Sequence, residues 1–333
     1  MKLDAFFPPE TELSKIAGLA RAAEETGFDG VWMAETQHNP FLPGVLAAEH
    51  TQKITFGTGI AVSFARSPAV MAHTAWDLAE LSGGRFILGL GTQVKPHIER
   101  RFGLEWPASP VKKLREQIAA LRAFWRTWQH GDKLNQRGEY YKVTLTSPFF
   151  TPAPISHPDI PIYIAGVNTG LARLAGEAAD GFHIHPFHTA KYLEEILLPA
   201  VETGAQAGGR SPEDVSMVAN VFVATSDEER EIARQQISFY ASTPSYRSVL
   251  ALHGWEDVGE RLSQHAARQE WELMPALVND TILETVAVIA APLDLAAALM
   301  KKYHSLADRL TLYMPFIPGE RDGFWQTLRN GIE

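Results

Sequence analysis

Four short stretches of the chain gather side chains and glycines that can do chemistry. Glu35-Thr36-Gln37-His38 supplies a carboxylate and an imidazole three positions apart. His38 is the leading candidate for proton transfer, because an imidazole titrates near neutral pH. The bland alternative is an exposed loop histidine bonded to backbone. Glu35 is its companion candidate, either orienting a neighbouring group or capping a helix. Gly91-Thr92-Gln93-Val94-Lys95 offers a hydroxyl, a carboxamide and an ammonium group. Ala165-Gly166-Val167-Asn168-Thr169-Gly170 closes an apolar run and opens a helical pattern. Glycine there lets the backbone approach a ligand, and free amides at a helix start attract an anion. Thr92 and Lys95 from one stretch and Gly166 to Gly170 from the other suit a single phosphate. Each stretch also reads as an ordinary strand-to-helix turn.

The fourth stretch holds His183, His185 and His188. The first two lie two apart on a strand and so share a face. Three histidines raise the question of a metal site, and with it a metal-dependent hydrolase. No carboxylate accompanies them. The first strand ends Phe6-Phe7-Pro8 and the last ends Met314-Pro315-Phe316, where such hydrolases need ligands. Packing or substrate contact is the assigned role, with no metal. A glycosidase needs two carboxylates across one mouth, and Glu35 is the only acid just after the early strands.

Positioning these stretches takes a regular scaffold. Strand candidates are Leu3 to Phe7, Gly30 to Met33, Ile54 to Ile60, Phe86 to Leu90, Ile162 to Ala165, Phe182 to Ile184, Val215 to Ala224 and Leu310 to Tyr313. Most alternate with helical patterns. Leu13, Ile16, Ala17, Ala20 and Ala23 repeat at helical spacing, and Gly27 follows as a left-handed cap. Ser67-Pro68 starts another helix, with Val70, Thr74, Leu78 and Leu81 as its expected buried face. Val111, Leu114, Ile118, Leu121, Trp125 and Trp128 mark one face of a long helix. Residues 138–161 are proline-rich and read as an excursion over the surface. Alternation of this kind implies parallel pairing, and eight units imply a closed (β/α)8 TIM barrel. No Gly-x-Gly-x-x-Gly follows the first strand, which argues against a dinucleotide-binding open sheet. The chain, 1–333, is expected to form one domain. Residues 225–307 are expected to be a helical insertion between strands seven and eight. In a barrel the active site lies at the carboxyl ends of the strands, and all four stretches fall there.

Composition narrows the partners. Hydrophobic residues make up 45% of the chain, enough for a large core, and the net charge of -9 argues against nucleic acid and anionic membranes. The chain has no cysteine, so disulfides, thiolate catalysis and sulfur-ligated clusters are excluded. Met1 to Leu13 carries Asp4, Pro8 and Pro9, and no window approaches the roughly 20 apolar residues of a membrane span. The expected location is the cytoplasm.

Several motifs together resemble the luciferase-like monooxygenase family. They are Thr58-Gly59-Ile60 through Arg66-Ser67-Pro68-Ala69, then Asp77-Leu78-Ala79-Glu80-Leu81-Ser82-Gly83-Gly84-Arg85-Phe86, Gly89-Leu90-Gly91-Thr92, and Ala165-Gly166-Val167 with Ala178-Ala179-Asp180-Gly181. The run Gly91 to Gly103 resembles the branch that uses coenzyme F420, an 8-hydroxy-5-deazaflavin that moves hydride at C5. Other members bind FMN and activate oxygen. The resemblance implies a cis peptide at Gly59–Ile60 behind the cofactor ring. It places Thr92 and Gln93 on the phosphate or ribityl chain and Gly166 to Gly170 on the phosphate from the other side. His38 falls near the family's loop histidine after strand two, with extra residues between it and Glu35. The implied protein is an F420-dependent oxidoreductase, or alternatively an FMN-dependent monooxygenase. It would act on a small molecule as a homodimer, with substrate held near Tyr240 to Trp255, Trp271 and Phe316.

Overall fold

Parallel strands can close on themselves only if each finds two neighbours, and eight segments of this chain do so. In the computed structural model, which describes residues 1–332, they are β1 (Lys2–Phe6), β2 (Gly30–Met33), β3 (Thr55–Thr58), β4 (Phe86–Gly91), β5 (Ile162–Gly166), β6 (Gly181–Ile184), β7 (Ser216–Val221) and β8 (Arg309–Leu312). Neighbours run β3-β2-β1-β8-β7-β6-β5-β4, and β4 returns to β3. Closure leaves no unpaired edge. The protein is a (β/α)8 barrel.

The strands are buried on both faces, which is why they read as nearly continuous apolar runs. Trp32, Ile87, Tyr163 and Val218 fill a layer of the interior. Two charges sit inside as well. Arg309 donates to both carboxylate oxygens of Asp4, at 2.8 and 2.6 Å, and the pair is essentially inaccessible to solvent. Trp32 Nε1 donates to the same carboxylate at 2.8 Å, and Arg309 also donates to Thr55 Oγ1 at 3.0 Å. Both carboxylate oxygens and two of the three guanidinium nitrogens are paired, as burial demands.

Outside the barrel, α1 (Leu13–Thr26) buries Ile16, Ala20 and Ala23 and stops at Gly27, whose φ of 92° is left-handed as expected. Next come α2 (Leu42–His50) and α3 (Pro68–Ser82). Ser67 caps α3 by accepting from Val70 N, with Pro68 in its first turn. Its buried face differs from the expected one. Val70 is 59% exposed and Leu81 is 47% exposed. Met71, Ala72, Ala75, Trp76 and Ala79 pack inward along with the expected Leu78. Alanines allow close approach to the sheet and Trp76 fills the remaining gap, a stripe that counting large aliphatics misses. On α4 (Pro110–His130) the expected face is buried from Leu114 to Trp128, with Val111 partly buried.

Two strand ends also differ. The third strand is not continuous to Ile60: it breaks after Thr58 and resumes as Ala61–Val62. The seventh leaves the barrel at Val221, and Val223–Ala224 pairs instead with Val288–Ile289 in a separate parallel ribbon. The elements between β7 and β8 therefore include a strand among helices. These helices include α7 (Asp227–Ala241), α8 (Glu256–Ala267) and α9 (Leu295–Tyr303), numbered after α5 (Thr169–Ala178) and α6 (Leu198–Ala207). After β8 the chain ends in α10 (Asp322–Ile332). The proline-rich excursion carries an antiparallel hairpin, Gln136–Arg137 with Lys142–Val143. Glu116 of α4 docks it by accepting the backbone N–H groups of Glu139, Tyr140 and Tyr141.

Candidate active site at the barrel mouth

The carboxyl ends of β2, β3, β4 and β5 are contiguous in the ring, so three of the four sequence-predicted stretches, together with Gly59–Ile60, meet along one arc. The arc is organised around the break in β3. Thr58 Oγ1 donates to Gly89 O at 2.6 Å and accepts from Gly89 N at 2.9 Å, locking β3 to β4 just before the break. Position 89 must be glycine, because a Cβ there would lie 1.8 Å from Thr58 O. The Gly59–Ile60 peptide that follows is cis. Gly59 and Ile60 are partly exposed although Thr58 and Ala61 on either side are buried. This is a shallow, backbone-walled seat facing the mouth.

Glu35 holds the chain beyond the break. Its carboxylate accepts from Val62 N at 2.6 Å and takes both ends of the Arg66 guanidinium at 2.7 and 2.8 Å. Both side chains are largely buried, at 8% and 16% exposure. Arg66 also lies over the Phe41 ring, 5.3 Å from its centroid. Planar bidentate pairing of this kind adds geometric definition as well as energy. Glu35 thus orients a neighbour, one of the two roles its position suggested. His38 lies on the same loop, half-buried, and makes no hydrogen bond among the described residues.

Thr92 and Gln93 follow β4. Gln93 is one of few non-glycine residues with positive φ (59°), a conformation that costs energy for an ordinary side chain. Its Oε1 accepts from Val94 N at 3.0 Å, and Thr92 Oγ1 donates to Gln93 O at 3.1 Å. The loop is thereby folded tightly against the strand end. Lys95 opens a short helix, Lys95–Arg100, and lies 3.7 Å from Glu99 on the surface. Its side chain is 61% exposed.

β4 and β5 pair through Leu90 and Ile164, so the Thr92 loop and the Gly166 loop are neighbours. After β5 the chain enters α5, where Asn168 Oδ1 caps Leu171 N at 3.2 Å. The amides of Thr169 and Gly170, among the four that a helix start leaves without intrahelical partners, make no hydrogen bond among the described residues. A Cβ on Gly166 would strike Leu171 at 2.6 Å, whereas one on Gly170 would find ordinary contact at 3.4 Å. Val167 presents its carbonyl to the Tyr192 hydroxyl at 2.9 Å. Two uncommitted amides at a helix start are a fitting cradle for a phosphate. With the seat at Gly59–Ile60, the arc offers complementary places for a flat ring and its anionic tail. When bound, a flavin or deazaflavin supplies a carbon or nitrogen that accepts and returns hydride.

The opposite arc, over β1, β6, β7 and β8, is aromatic. Phe6 stacks on Tyr313 at 5.5 Å, Phe222 packs on Tyr313 at 4.8 Å, and Tyr240 and Tyr313 share a hydroxyl hydrogen bond of 3.0 Å. Tyr240 and Tyr246 come from the segment between β7 and β8, and both rings touch His185. The remaining histidines lie deeper, and the buried His183 Nε2 has no hydrogen-bond partner among the described residues. His183 packs on Trp32 inside the barrel, and His188 bridges His185 O (2.8 Å) and the Tyr303 hydroxyl (3.0 Å). Burial pulls His183 and His185 down to about 3 and His188 to about 4, so all three are neutral at physiological pH. Phe316 and Trp271, expected near substrate, lie elsewhere. Phe316 instead packs between Phe28 and Trp325 in the outer layer, and Trp271 is about half-exposed beside Phe239.

A groove of about 470 Å³ opens at the other end of the barrel, lined by Arg122, Trp125, Arg126, His130, Pro158 and Asp180. It lies at the strands' amino-terminal face, whereas barrels of this type carry their chemistry at the carboxyl face.

Residues 1–309 match the family model for luciferase-like monooxygenases. An uncharacterized protein of Mycobacterium tuberculosis is 43% identical over 93% of this chain and 92% of its own length. An F420-dependent glucose-6-phosphate dehydrogenase of Mycolicibacterium gilvum is 32% identical over 68% of this chain and 69% of its own. Among solved structures, the coenzyme F420-dependent tetrahydromethanopterin reductase of Methanopyrus kandleri superposes with a TM-score of 0.81 at 20% identity, over 99% of this chain and 98% of that one. The chain belongs to the luciferase-like monooxygenase family and is an oxidoreductase of the flavin- or deazaflavin-dependent kind.

Proposed function

We propose that the protein transfers hydride between bound coenzyme F420 and a small organic substrate. The observation that carries this reading is the partition of one mouth into two arcs. One offers backbone, a cis-peptide seat and free helix-start amides, and the other offers aromatic rings. In this reading Gly59 and Ile60 back the ring, with Thr92, Gln93 and the amides of Gly166, Val167, Asn168, Thr169 and Gly170 along its phosphate-bearing tail. Lys95 adds long-range attraction for the tail's negative charge. Glu35 acts through Arg66 and Val62 as a positioning residue. His38, half-exposed and uncommitted, exchanges the proton that accompanies hydride. Most of the rate comes from close approach and exclusion of water.

The choice of F420 over FMN is supported by the dehydrogenase and reductase relatives above, whose names carry F420. Titration with each cofactor, followed by visible absorbance, tests it. F420 should saturate at a Kd at least about tenfold below that of FMN, a difference of about 1.4 kcal/mol. Tighter FMN binding, with oxygen consumption on reduction, would instead identify a monooxygenase. We also propose a homodimer through α2 and α3, because Leu42, Val45 and Val70 stand exposed there at 53%, 37% and 59%. No helix among the described residues is long and apolar enough to cross a membrane.

A further inference from the structure

His185 sits just past β6, and its ring is held in one orientation and one tautomer. Phe187 N donates to its Nδ1 at 3.1 Å. That nitrogen is therefore the acceptor, and the proton of the neutral ring resides on Nε2. Tyr240 meets the ring edge-on at 4.7 Å and 86°, and Tyr246 lies against it at 4.3 Å. The Nε2–H makes no hydrogen bond among the described residues. His185 also retains solvent contact, whereas Ile184 and Phe187 beside it are 1% and 0% exposed. It is a fixed donor with nothing yet to donate to.

A second donor stands next to it. Tyr240 and Tyr313 share one hydrogen bond, 3.0 Å between oxygens. Two hydroxyls carry two protons, and a single bond between them uses one. The other proton is uncommitted. Surrounding these groups are apolar faces: Phe222 against both Tyr240 and Tyr313, and Phe6 against Tyr313. No hydrogen bond, ion pair or cation–π contact among the described residues joins a Lys or Arg to His185, Tyr240, Tyr246 or Tyr313.

We propose that His185 Nε2–H and the free hydroxyl proton of the Tyr240–Tyr313 pair form a neutral two-donor subsite for a substrate oxygen, and that the substrate is an uncharged ketone, aldehyde or alcohol on an apolar frame. Both donors are neutral, so an oxygen with partial negative charge is satisfied. A carboxylate or phosphate would be stripped of water against aromatic rings, with no Lys or Arg bonded to those rings to offset the cost. The rings supply the apolar contact that a hydrocarbon frame needs. The assignment deepens the oxidoreductase reading, since it takes the aromatic arc as the substrate side of the mouth.

Isothermal titration of the full chain, with and without F420, tests this with four matched probes: cyclohexanone, cyclohexanol, cyclohexanecarboxylate and cyclohexyl phosphate. The two neutral probes should bind at least about tenfold more tightly than the two anions. His185→Phe keeps an aromatic ring and removes one donor, and the double variant Tyr240→Phe/Tyr313→Phe removes the other, since either hydroxyl left alone would still carry a free proton. Each should weaken cyclohexanone by about five- to tenfold, the loss of one hydrogen bond. The tyrosine double variant provides the same comparison if His185→Phe does not fold. Anions binding as well as the ketone would overturn the proposal. So would donor-deleted variants that bind it like wild type, or no neutral probe binding at all. The wild-type F420 titration is a separate readout, so loss of the cofactor reading and loss of this subsite are told apart.

Discussion

Replacing Glu35 by alanine removes the group on which the chain beyond the β3 break depends. The carboxylate makes three short contacts, to Val62 N at 2.6 Å and to Arg66 at 2.7 and 2.8 Å. With exposures of 8% and 16%, little solvent screens the pair. Deleting one partner of a buried pair costs about 3–5 kcal/mol, because the other charge stays behind unpaired. Arg66 keeps weaker company in Val62 O at 3.2 Å and the Phe41 ring, which favours the low end, about 3 kcal/mol. For a chain this long that is a fall in Tm of roughly 4 °C. The seat should suffer separately. At a temperature where the variant is fully folded, Kd for F420 should rise at least about tenfold, since Ala61–Val62 loses its tether. A double-mutant cycle with Arg66→Ala isolates the pair, and a coupling energy of about 2 kcal/mol is expected. Urea denaturation and fluorescence titration measure the two effects. Strict additivity in the cycle, or an unchanged Kd in Glu35→Ala, would refute the view of Glu35 as the clamp on the cofactor seat.

Other outcomes follow from the same geometry. His38→Ala should lower turnover much more than cofactor affinity in steady-state and binding assays, and full retained turnover would remove His38 from the mechanism. Gly166→Ala forces a Cβ onto Leu171 at 2.6 Å and should weaken cofactor binding, while Gly170→Ala meets only ordinary contacts and should not; equal effects in titration would deny the amide cradle its asymmetry. His183, His185 and His188 are held neutral, at about 3, 3 and 4 against an unfolded value near 6.5. Below pH 6.5 the unfolded chain gains protons that the fold refuses, so stability falls as pH drops toward 4, by roughly 4 kcal/mol per unit if all three contribute. Urea melts at pH 5 and 7 measure it, and a flat profile would mean these rings protonate in place. Arg309→Met strands the buried Asp4 carboxylate and should cost about 3–5 kcal/mol, with Asp4→Leu in the same chain restoring much of it; an additive double variant would contradict that.

Much of the scaffold was legible because each of its units carries local information. The apolar runs, the αL glycine at Gly27, the Ser67-Pro68 start and the Leu114 to Trp128 stripe each depend on neighbours within a few residues. The cis bond at Gly59–Ile60 came from motif resemblance, as no local pattern signals it. What escaped was set by closure. Asp4 meets Arg309 only because the first and last strands pair. Asp4 inside an apolar first strand was the available signal, since a buried charge must be paired, whereas Arg309 lies one residue before the run read as the last strand. The aromatic arc draws on residues 6, 185, 222, 240, 246 and 313, and nothing local foretells that meeting. The face of α3 was misplaced because alanines and Trp76, not Val70 and Leu81, match the sheet's surface. Val223–Ala224 continues β7's apolar run, and only the position of Val288–Ile289 shows that it pairs elsewhere.

A crystal structure of the F420 complex is the most direct test of where the cofactor sits. The account predicts the deazaflavin ring against Gly59 and Ile60, with its phosphate between Thr92 and the amides of Thr169 and Gly170. Cofactor density over the aromatic arc, or in the groove beside Arg122 and Arg126, would contradict it.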